Sequence, residues 1–492
     1  MAKYILAIDQ STQGTKALIF DEKGRVCDKA YKSHRQIVND HGWVEHDPRE
    51  ILQNTLEVTC SIVEKSGINS SDVAAIGISN QRETSLAWNK ETGAPIYNAI
   101  VWQCCRAEEI CQRHREAGEE DIIREKSGMQ LSPYFPASKL QWIMENVPEA
   151  RSLAKRENLA VGTIDSWLVY NLTGKKYHKT DYSNASRTQL FNIQELKWDE
   201  ELCRSFDIPI SALPEVCMSD SEFGRTDMEG LFPQAVPIHS VMGDSHAALF
   251  GQNCRESGNI KATYGTGSSV MMNIGDKFIN SEKGLVTSLA WGINGKVDYV
   301  FEGNLNYTGA VISWLKDNVK LITTSSETEE LAKAANKQDC TYFVPAFTGL
   351  GAPYWNAGAK GILTGITRTT GRNEIVRACV DCIGYQITDL IKIMREESGR
   401  VIGELHVDGG PTANGYLMQF QSDMANVKVE IPEIQELSCM GVAYLAGIAS
   451  GIYDSKNIFD TIKYHKIKPQ MSDSRREELY RGWKAAIRQV VS

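Results

Sequence analysis

The acid in Gly243-Asp244-Ser245-His246-Ala247 and the turn in Tyr264-Gly265-Thr266-Gly267-Ser268-Ser269 stand about twenty residues apart. A matching device opens the chain, where Ile5-Leu6-Ala7-Ile8-Asp9 runs through Gln10-Ser11-Thr12-Gln13-Gly14-Thr15 into Lys16-Ala17-Leu18-Ile19-Phe20. Each turn lies between two strand-like runs, and a tight turn of small residues directs unpaired backbone N–H groups at an anion of phosphate size. A carboxylate such as that of Asp244 can accept the proton of an attacking hydroxyl. Two phosphate turns and one acid together suggest ATP-dependent phosphoryl transfer. Each residue also has a plainer use: Asp244 as a helix cap, Asp9 as a partner for the N–H groups of its own turn, and the glycines as ordinary hairpin residues.

The elements that must carry these residues can be read from the same sequence. Strands are expected over residues 5–9, 17–21 and 25–32, joined by small turns. Asp47-Pro48 then opens a helix with an acidic cap and a proline at its first position, and Ile51, Thr55, Val58, Ile62 and Val63 fall at helical spacing. Residues 73–79 form a short buried strand that delivers Asn80-Gln81-Arg82-Glu83-Thr84 at its carboxyl end, where α/β sheets commonly carry sites. From Asn259 the early pattern repeats: a strand over 260–264, the Gly265-Thr266-Gly267 turn, a strand over 268–274 and a third strand after Gly284. This predicts a duplicated unit with a boundary near residue 250, whose two copies bring both turns to one nucleotide. Further on, 373–397 is helical, His406 to Asn414 reads as strand, glycine turn and helix start, and 438–452 is a small-residue helix fit for close packing.

The chain has 492 residues, more than one hydrophobic core comfortably holds, so two large domains are expected. A net charge of −9 argues against a nucleic-acid binder, which needs a basic face to displace counterions. No apolar run approaches the ~20 residues of a membrane span, and the run at residues 4–8 is too short for a signal peptide. Twelve cysteines without repeated spacing suit reduced thiols in a cytoplasm. Cys379 and Cys382 form the one Cys-x-x-Cys, and no further ligands at zinc-site spacing accompany it.

At these residues, and over nearly its whole length, the chain resembles the FGGY carbohydrate kinases. Gly42-Trp43-Val44-Glu45-His46-Asp47-Pro48, Tyr97-Asn98-Ala99-Ile100-Val101-Trp102-Gln103-Cys104 and Val344-Pro345-Ala346-Phe347-Thr348-Gly349-Leu350-Gly351-Ala352-Pro353-Tyr354-Trp355 carry the resemblance. Tyr134-Phe135-Pro136-Ala137-Ser138-Lys139-Leu140-Gln141-Trp142 fits the family's first signature, and residues 361–381 nearly fit its second. The resemblance implies an α/β fold of two ribonuclease H-like domains, of the actin and Hsp70 ATPase type, with a catalytic cleft between them. Residues 1–250 would hold the acceptor and the base, and 251–492 the nucleotide.

By the same resemblance Asp244 accepts the proton of a primary hydroxyl, and Asp9 stands with it on the Mg²⁺ side. Thr12, Gln13, Gly14 and Lys16, with Gly265, Thr266 and Gly267, would hold the phosphates of ATP. Gly309, Ser313, Gly410 and Asn414 would line the adenine and ribose pocket, unless they serve helix packing and helix starts. Arg82 and Glu83 would grip substrate hydroxyls, and Trp102 and Tyr134 would wall the acceptor. Their plainer readings are a solvent-exposed ion pair and core aromatics. The implied cofactors are ATP and Mg²⁺, and the implied partner is a small polyol or sugar. No nucleic acid and no membrane insertion are expected, and a homodimer or homotetramer is common among such proteins.

Two departures from members of the family that phosphorylate glycerol fall on the acceptor pocket. Ser245 follows the acid where those carry glutamine, and Ser269 follows the second turn where they carry an aromatic residue. Both changes widen and wet an acceptor pocket, so a four- or five-carbon polyol or a ketose is an alternative to glycerol. A non-metabolic ATPase of the actin or Hsp70 kind is a second alternative, since fold does not fix function.

Overall fold

A computed structural model describes residues 3–356 and 358–491. They form two compact units, each discontinuous in sequence. The first runs up to Asn253 and takes in Thr287–Tyr299 and Glu436–Thr461, while the second comprises Cys254–Val286, Val300–Gln435 and the chain from Ile462 on.

The first unit is built on a six-stranded sheet with the order Gly224–Thr226, Val236–Gly243, Val73–Asn80, Tyr4–Gln10, Gly14–Phe20 and Val26–Ser33. Ile5, Leu6, Ala7 and Ile8 are fully buried, as a continuous apolar run requires in a strand covered on both faces. Tyr4–Gln10 pairs antiparallel with Gly14–Phe20 and parallel with Val73–Asn80, which in turn pairs parallel with Val236–Gly243. Helix Pro48–Ser66 covers the sheet with Ile51, Val58, Ile62 and Val63 buried. It starts where the sequence places it, with the Asp47 carboxylate accepting the Arg49 N–H at 2.8 Å, and it stops at left-handed Gly67. A smaller sheet of Ile37–Val38, Val44–His46, Ala99–Ile100, Ser85–Asn89 and Leu159–Thr163 stands beside it in the same unit. There the Arg106 guanidinium pairs with Glu45 at 2.7 Å and lies 4.5 Å from the Trp43 ring and 4.8 Å from the Trp142 ring.

The second unit repeats the topology. Ile260–Tyr264 pairs antiparallel with Ser268–Gly275 and parallel with Glu404–Asp408, which is followed by parallel Lys428–Pro432 and antiparallel Tyr464–Ile467. The expected third strand after Gly284 exists as Val286–Ile293, and Lys296–Leu305 follows it. Asn294 and Gly295, at φ 52° and 74°, make the two-residue turn between these strands. Both positive φ angles suit the tight hairpin that an Asn-Gly pair favours.

Candidate functional site

Three parallel strands of the first unit end level with one another, Gln10 pairing with Asn80 and Asn80 with Gly243. The chain leaves them as the Ser11–Gln13 turn, the loop of residues 81–84 and the helix Asp244–Gly251. Register alone thus gathers Asp9, Thr12, Arg82, Glu83 and Asp244 at the carboxyl ends of parallel strands.

Asp244 is the first residue of its helix, and Gly243 takes the capping position. Its carboxylate accepts the Ser245 N–H at 2.6 Å, and its side chain keeps 36% of its exposure. Arg82 Nε lies 3.4 Å from Asp244 Oδ1 and 3.8 Å from Glu83 Oε1, so one buried guanidinium serves two carboxylates. Arg82 and Glu83 are 6% and 2% exposed, which rules out a solvated surface pair. Glu83 sits at φ 61°, an uncommon conformation for a glutamate and one that persists where surrounding contacts fix it. Ser245 is half-buried and His246 fully buried.

Asp9 accepts the Ser79 hydroxyl at 2.9 Å and faces Lys16 across the hairpin register. Burial and the charge of Asp244 push its carboxyl up to about 6, against the opposing pull of Lys16 and Ser79. Asp9 and Asp244 lie near enough for one charge to raise the other's carboxyl, and such a pair of carboxylates is a donor set that fits a hydrated divalent cation. The Thr12 turn is closed by Ser11 N–H donating to Gly14 O at 2.9 Å. His34 Nε2 stands 2.9 Å from the Thr12 carbonyl, and Trp102 Nε1–H donates to the Thr12 hydroxyl at 2.9 Å. Trp102 and Tyr134 are half-buried rather than core residues and meet edge to face at 5.6 Å.

Three residues that the sequence did not single out complete this half. Arg187 Nε pairs with Glu83 Oε1 at 2.6 Å with both side chains buried, and its guanidinium lies 5.2 Å from the Phe135 ring. Lys139, fully buried, donates to the carbonyls of Tyr134 and Phe135, and burial lowers its ammonium to about 7. Gln81 is hydrogen-bonded to Gln10 and Thr84. The local signal available for Lys139 is its place in the same signature as Tyr134. Arg187 offers none, because its partner lies 104 residues away. Replacing Arg187 by Met takes away the nearer of the two guanidinium groups that serve buried Glu83 and leaves only Arg82 at 3.8 Å, so Arg187→Met is expected to cost about 3 kcal/mol. A drop of roughly 10 °C in Tm follows for a domain of this size, and adding Glu83→Gln recovers part of it; unchanged melting of the single variant refutes the pairing.

In the second unit the Gly265-Thr266-Gly267 turn is tightened by Gly265 N–H donating to Gly267 O at 2.8 Å. The start of helix Gly309–Asp317 donates into the same turn, Gly309 N–H to Gly265 O at 2.9 Å and Ala310 N–H to Thr266 O at 3.0 Å. A Cβ on Gly309 would stand 2.5 Å from Gly265 O, so glycine is required there by contact with the turn itself. Ser313 lies exposed one helical turn further on. Gly409 and Gly410 follow Glu404–Asp408, whose Asp408 is in register with Thr263, and so reach the same sheet end as the turn. Asn414 caps helix Gly415–Ala425 by accepting the Leu417 N–H at 3.0 Å, and it donates to Thr328 at 3.0 Å. Its helix-start role is thus present in full. Ser269 Oγ donates to buried Glu302 at 3.1 Å.

Two other groups of possible ligands are already satisfied. Cys379 and Cys382 are buried inside helix Arg372–Ser398, and burial pushes both thiols up. Glu404, His406 and Glu430 cluster, but Lys428 Nζ bridges the two carboxylates at 2.5 and 2.8 Å and Lys466 meets Glu430 at 2.9 Å. Among the described residues no helix is long and apolar enough to cross a membrane.

Comparison with known proteins gives the same picture. Residues 4–251 match the N-terminal domain, and 260–450 the C-terminal domain, of the FGGY family of carbohydrate kinases. The glycerol kinase of Caldanaerobacter subterraneus subsp. tengcongensis is 47% identical over 100% of this chain and 99% of its own length. Glycerol kinase 2 of Thermotoga maritima is 46% identical over 99% of this chain and 98% of its own. The crystal structure of Plasmodium falciparum glycerol kinase with ADP superposes with a TM-score of 0.95 at 35% identity, covering 100% of this chain and 99% of that one. The chain belongs to the FGGY family of carbohydrate kinases and is an ATP-dependent phosphotransferase acting on an alcohol group.

Proposed function

We propose that the protein transfers the γ-phosphoryl group of MgATP to a primary hydroxyl of glycerol or a closely related small polyol. The observation that carries this reading is the partly exposed Asp244 carboxylate beside buried Arg82 and Glu83 at the ends of parallel strands. Asp244 accepts the hydroxyl proton, Arg82 donates to and Glu83 accepts from the acceptor's other hydroxyls, and Trp102 and Tyr134 enclose its carbon skeleton. The Thr12-Gln13-Gly14 turn with Lys16 takes phosphate oxygens in the N-terminal half, residues 1–250. Gly265, Thr266 and Gly267 do so in the C-terminal half, 251–492, where Gly309, Ser313, Gly410 and Asn414 line the adenosine pocket. Asp9 and Asp244 would hold Mg²⁺, largely through water, and the ion would supply charge neutralisation of the phosphates.

An acceptor-binding set of this kind has no use in a pure nucleotide switch, which disfavours an actin- or Hsp70-like role. Free thiols at all twelve cysteines support a cytoplasmic setting. A homodimer or homotetramer rests on family resemblance alone.

A panel of glycerol, erythritol, xylitol and ketoses in an ADP-release assay tests the reading. Glycerol is expected to turn over, and ATP hydrolysis indifferent to every polyol and sugar would refute a kinase of this class. Ser269, which spends its hydroxyl on Glu302, favours a second reading in which a larger polyol is used better than glycerol. In that case Ser269→Phe, by restoring an apolar wall, should shift the kcat/KM ratio toward glycerol by about tenfold. A wild-type enzyme that prefers glycerol by a wide margin leaves only the first reading.

A further inference from the structure

Four side chains of the first unit close a hydrogen-bonded ring that neither turn nor acceptor pocket requires for itself. Trp102 Nε1–H donates to Thr12 Oγ1 at 2.9 Å, and Trp102 N–H donates to Thr84 Oγ1 at 3.3 Å. The hydroxyls of Thr84 and Thr12 both point to Gln81 Oε1, at 2.8 and 3.5 Å. Indole nitrogen is a donor only, so the Thr12 oxygen must accept from it, and the Thr12 proton is left for Gln81. The Gln81 amide donates in turn to Gln10 Oε1 at 3.0 Å and to Ser11 O at 3.4 Å. Gln81 is 1% exposed, and its bonds to Thr84 and Gln10 are buried, so water does not readily replace them. The ring spans the first turn, the loop that carries Arg82 and Glu83, and the aromatic wall.

We infer that Gln81 is a positioning residue whose ring through Thr84, Trp102 and Thr12 couples acceptor occupancy to nucleotide affinity. The inference rests on the reading that Trp102 walls the acceptor and that the Thr12 turn takes phosphate. An acceptor packed against the indole restricts its rotation and so holds its N–H on Thr12. The turn is then ordered before a nucleotide arrives, and the ordering entropy is charged to one ligand rather than both. Linkage requires the effect to be mutual.

The test is calorimetric titration of the full chain with MgADP, with and without saturating glycerol, and the converse titration. Wild-type protein is expected to bind each ligand at least about fivefold tighter in the presence of the other, in the range usual for coupled sites. In Gln81→Met that factor should fall below about twofold, while the affinity for either ligand alone changes less than about threefold. Trp102→Phe keeps an aromatic face without the N–H and should lose the coupling as well, which guards against a Gln81 variant that fails to fold. A general loss of stability would weaken both ligands without touching the ratio. Absence of coupling in the wild type, or its survival in both variants, overturns the inference while leaving acceptor-dependent turnover intact. A protein whose turnover no polyol stimulates overturns the functional reading and this inference together.

Discussion

Asp244→Asn is expected to lower kcat by about a thousandfold. The amide has nearly the shape of the carboxylate but cannot accept a proton, and a positioned general base contributes roughly 10² to 10⁴ in rate. The surroundings make the loss specific. Arg82 keeps Glu83 as a charged partner, so the acceptor loop does not collapse when one of its two carboxylates is neutralised. Asp9 loses the like charge that helps to raise its carboxyl, so its own ionisation becomes easier rather than harder. The damage therefore falls on proton acceptance, and rapid-quench single-turnover kinetics should locate it in the phosphoryl-transfer step. A fall of less than about tenfold in that step would show that another group accepts the proton.

Much of this arrangement can be read from the sequence because it is local. The strand, turn and strand around Thr12, the Asp47-Pro48 helix start and the second turn at Gly265 are each contained within about a dozen residues. Apolar runs and small residues report on backbone shape over that distance. The supporting contacts have no such trace. Glu83 and Arg187 are 104 positions apart and Trp102 and Thr12 are 90 apart, so each pairing is decided by how strands and loops meet in space. Arg187 and Gln81 look like any polar residues of a loop until the fold buries them. Asn294-Gly295 is a local signal of the same kind as the Thr12 and Gly265 turns, and it opens the further strand Lys296–Leu305 after Val286–Ile293. The small-residue helix near residue 440 shows the boundary between the two cases. Its fitness for close packing is visible in composition, whereas its choice of the first unit's sheet is not.

That helix gives the second large effect, because it backs the helix that carries Asp244, the proposed base. Leu437–Ala449 packs on Val73–Asn80, Val236–Gly243 and the helix Asp244–Gly251. Ser438 Oγ donates to the Asp244 carbonyl at 3.0 Å. A Cβ at Gly441 would stand 1.9 Å from Ala247 O, and one at Gly251 would stand 2.5 Å from Leu437 O. The atoms in the way are backbone, so no rotamer change can relieve the clash, and the two helices must separate. Overpacking of this kind typically costs 1–3 kcal/mol and sometimes more. Gly441→Val adds two further methyl groups at the tightest point, so a loss of about 4 kcal/mol is expected, or a fall of roughly 8–16 °C in Tm. The half-buried Ile448 of the same helix is the control, since Ile448→Val should cost under about 1.5 kcal/mol. Well below its melting temperature the Gly441 variant should still be slow, because displacing a catalytic group by about 1 Å can cost a hundredfold in rate. Melting within about 2 °C of wild type together with full turnover would mean that the helices do not approach this closely, and Asp244 would then need another support.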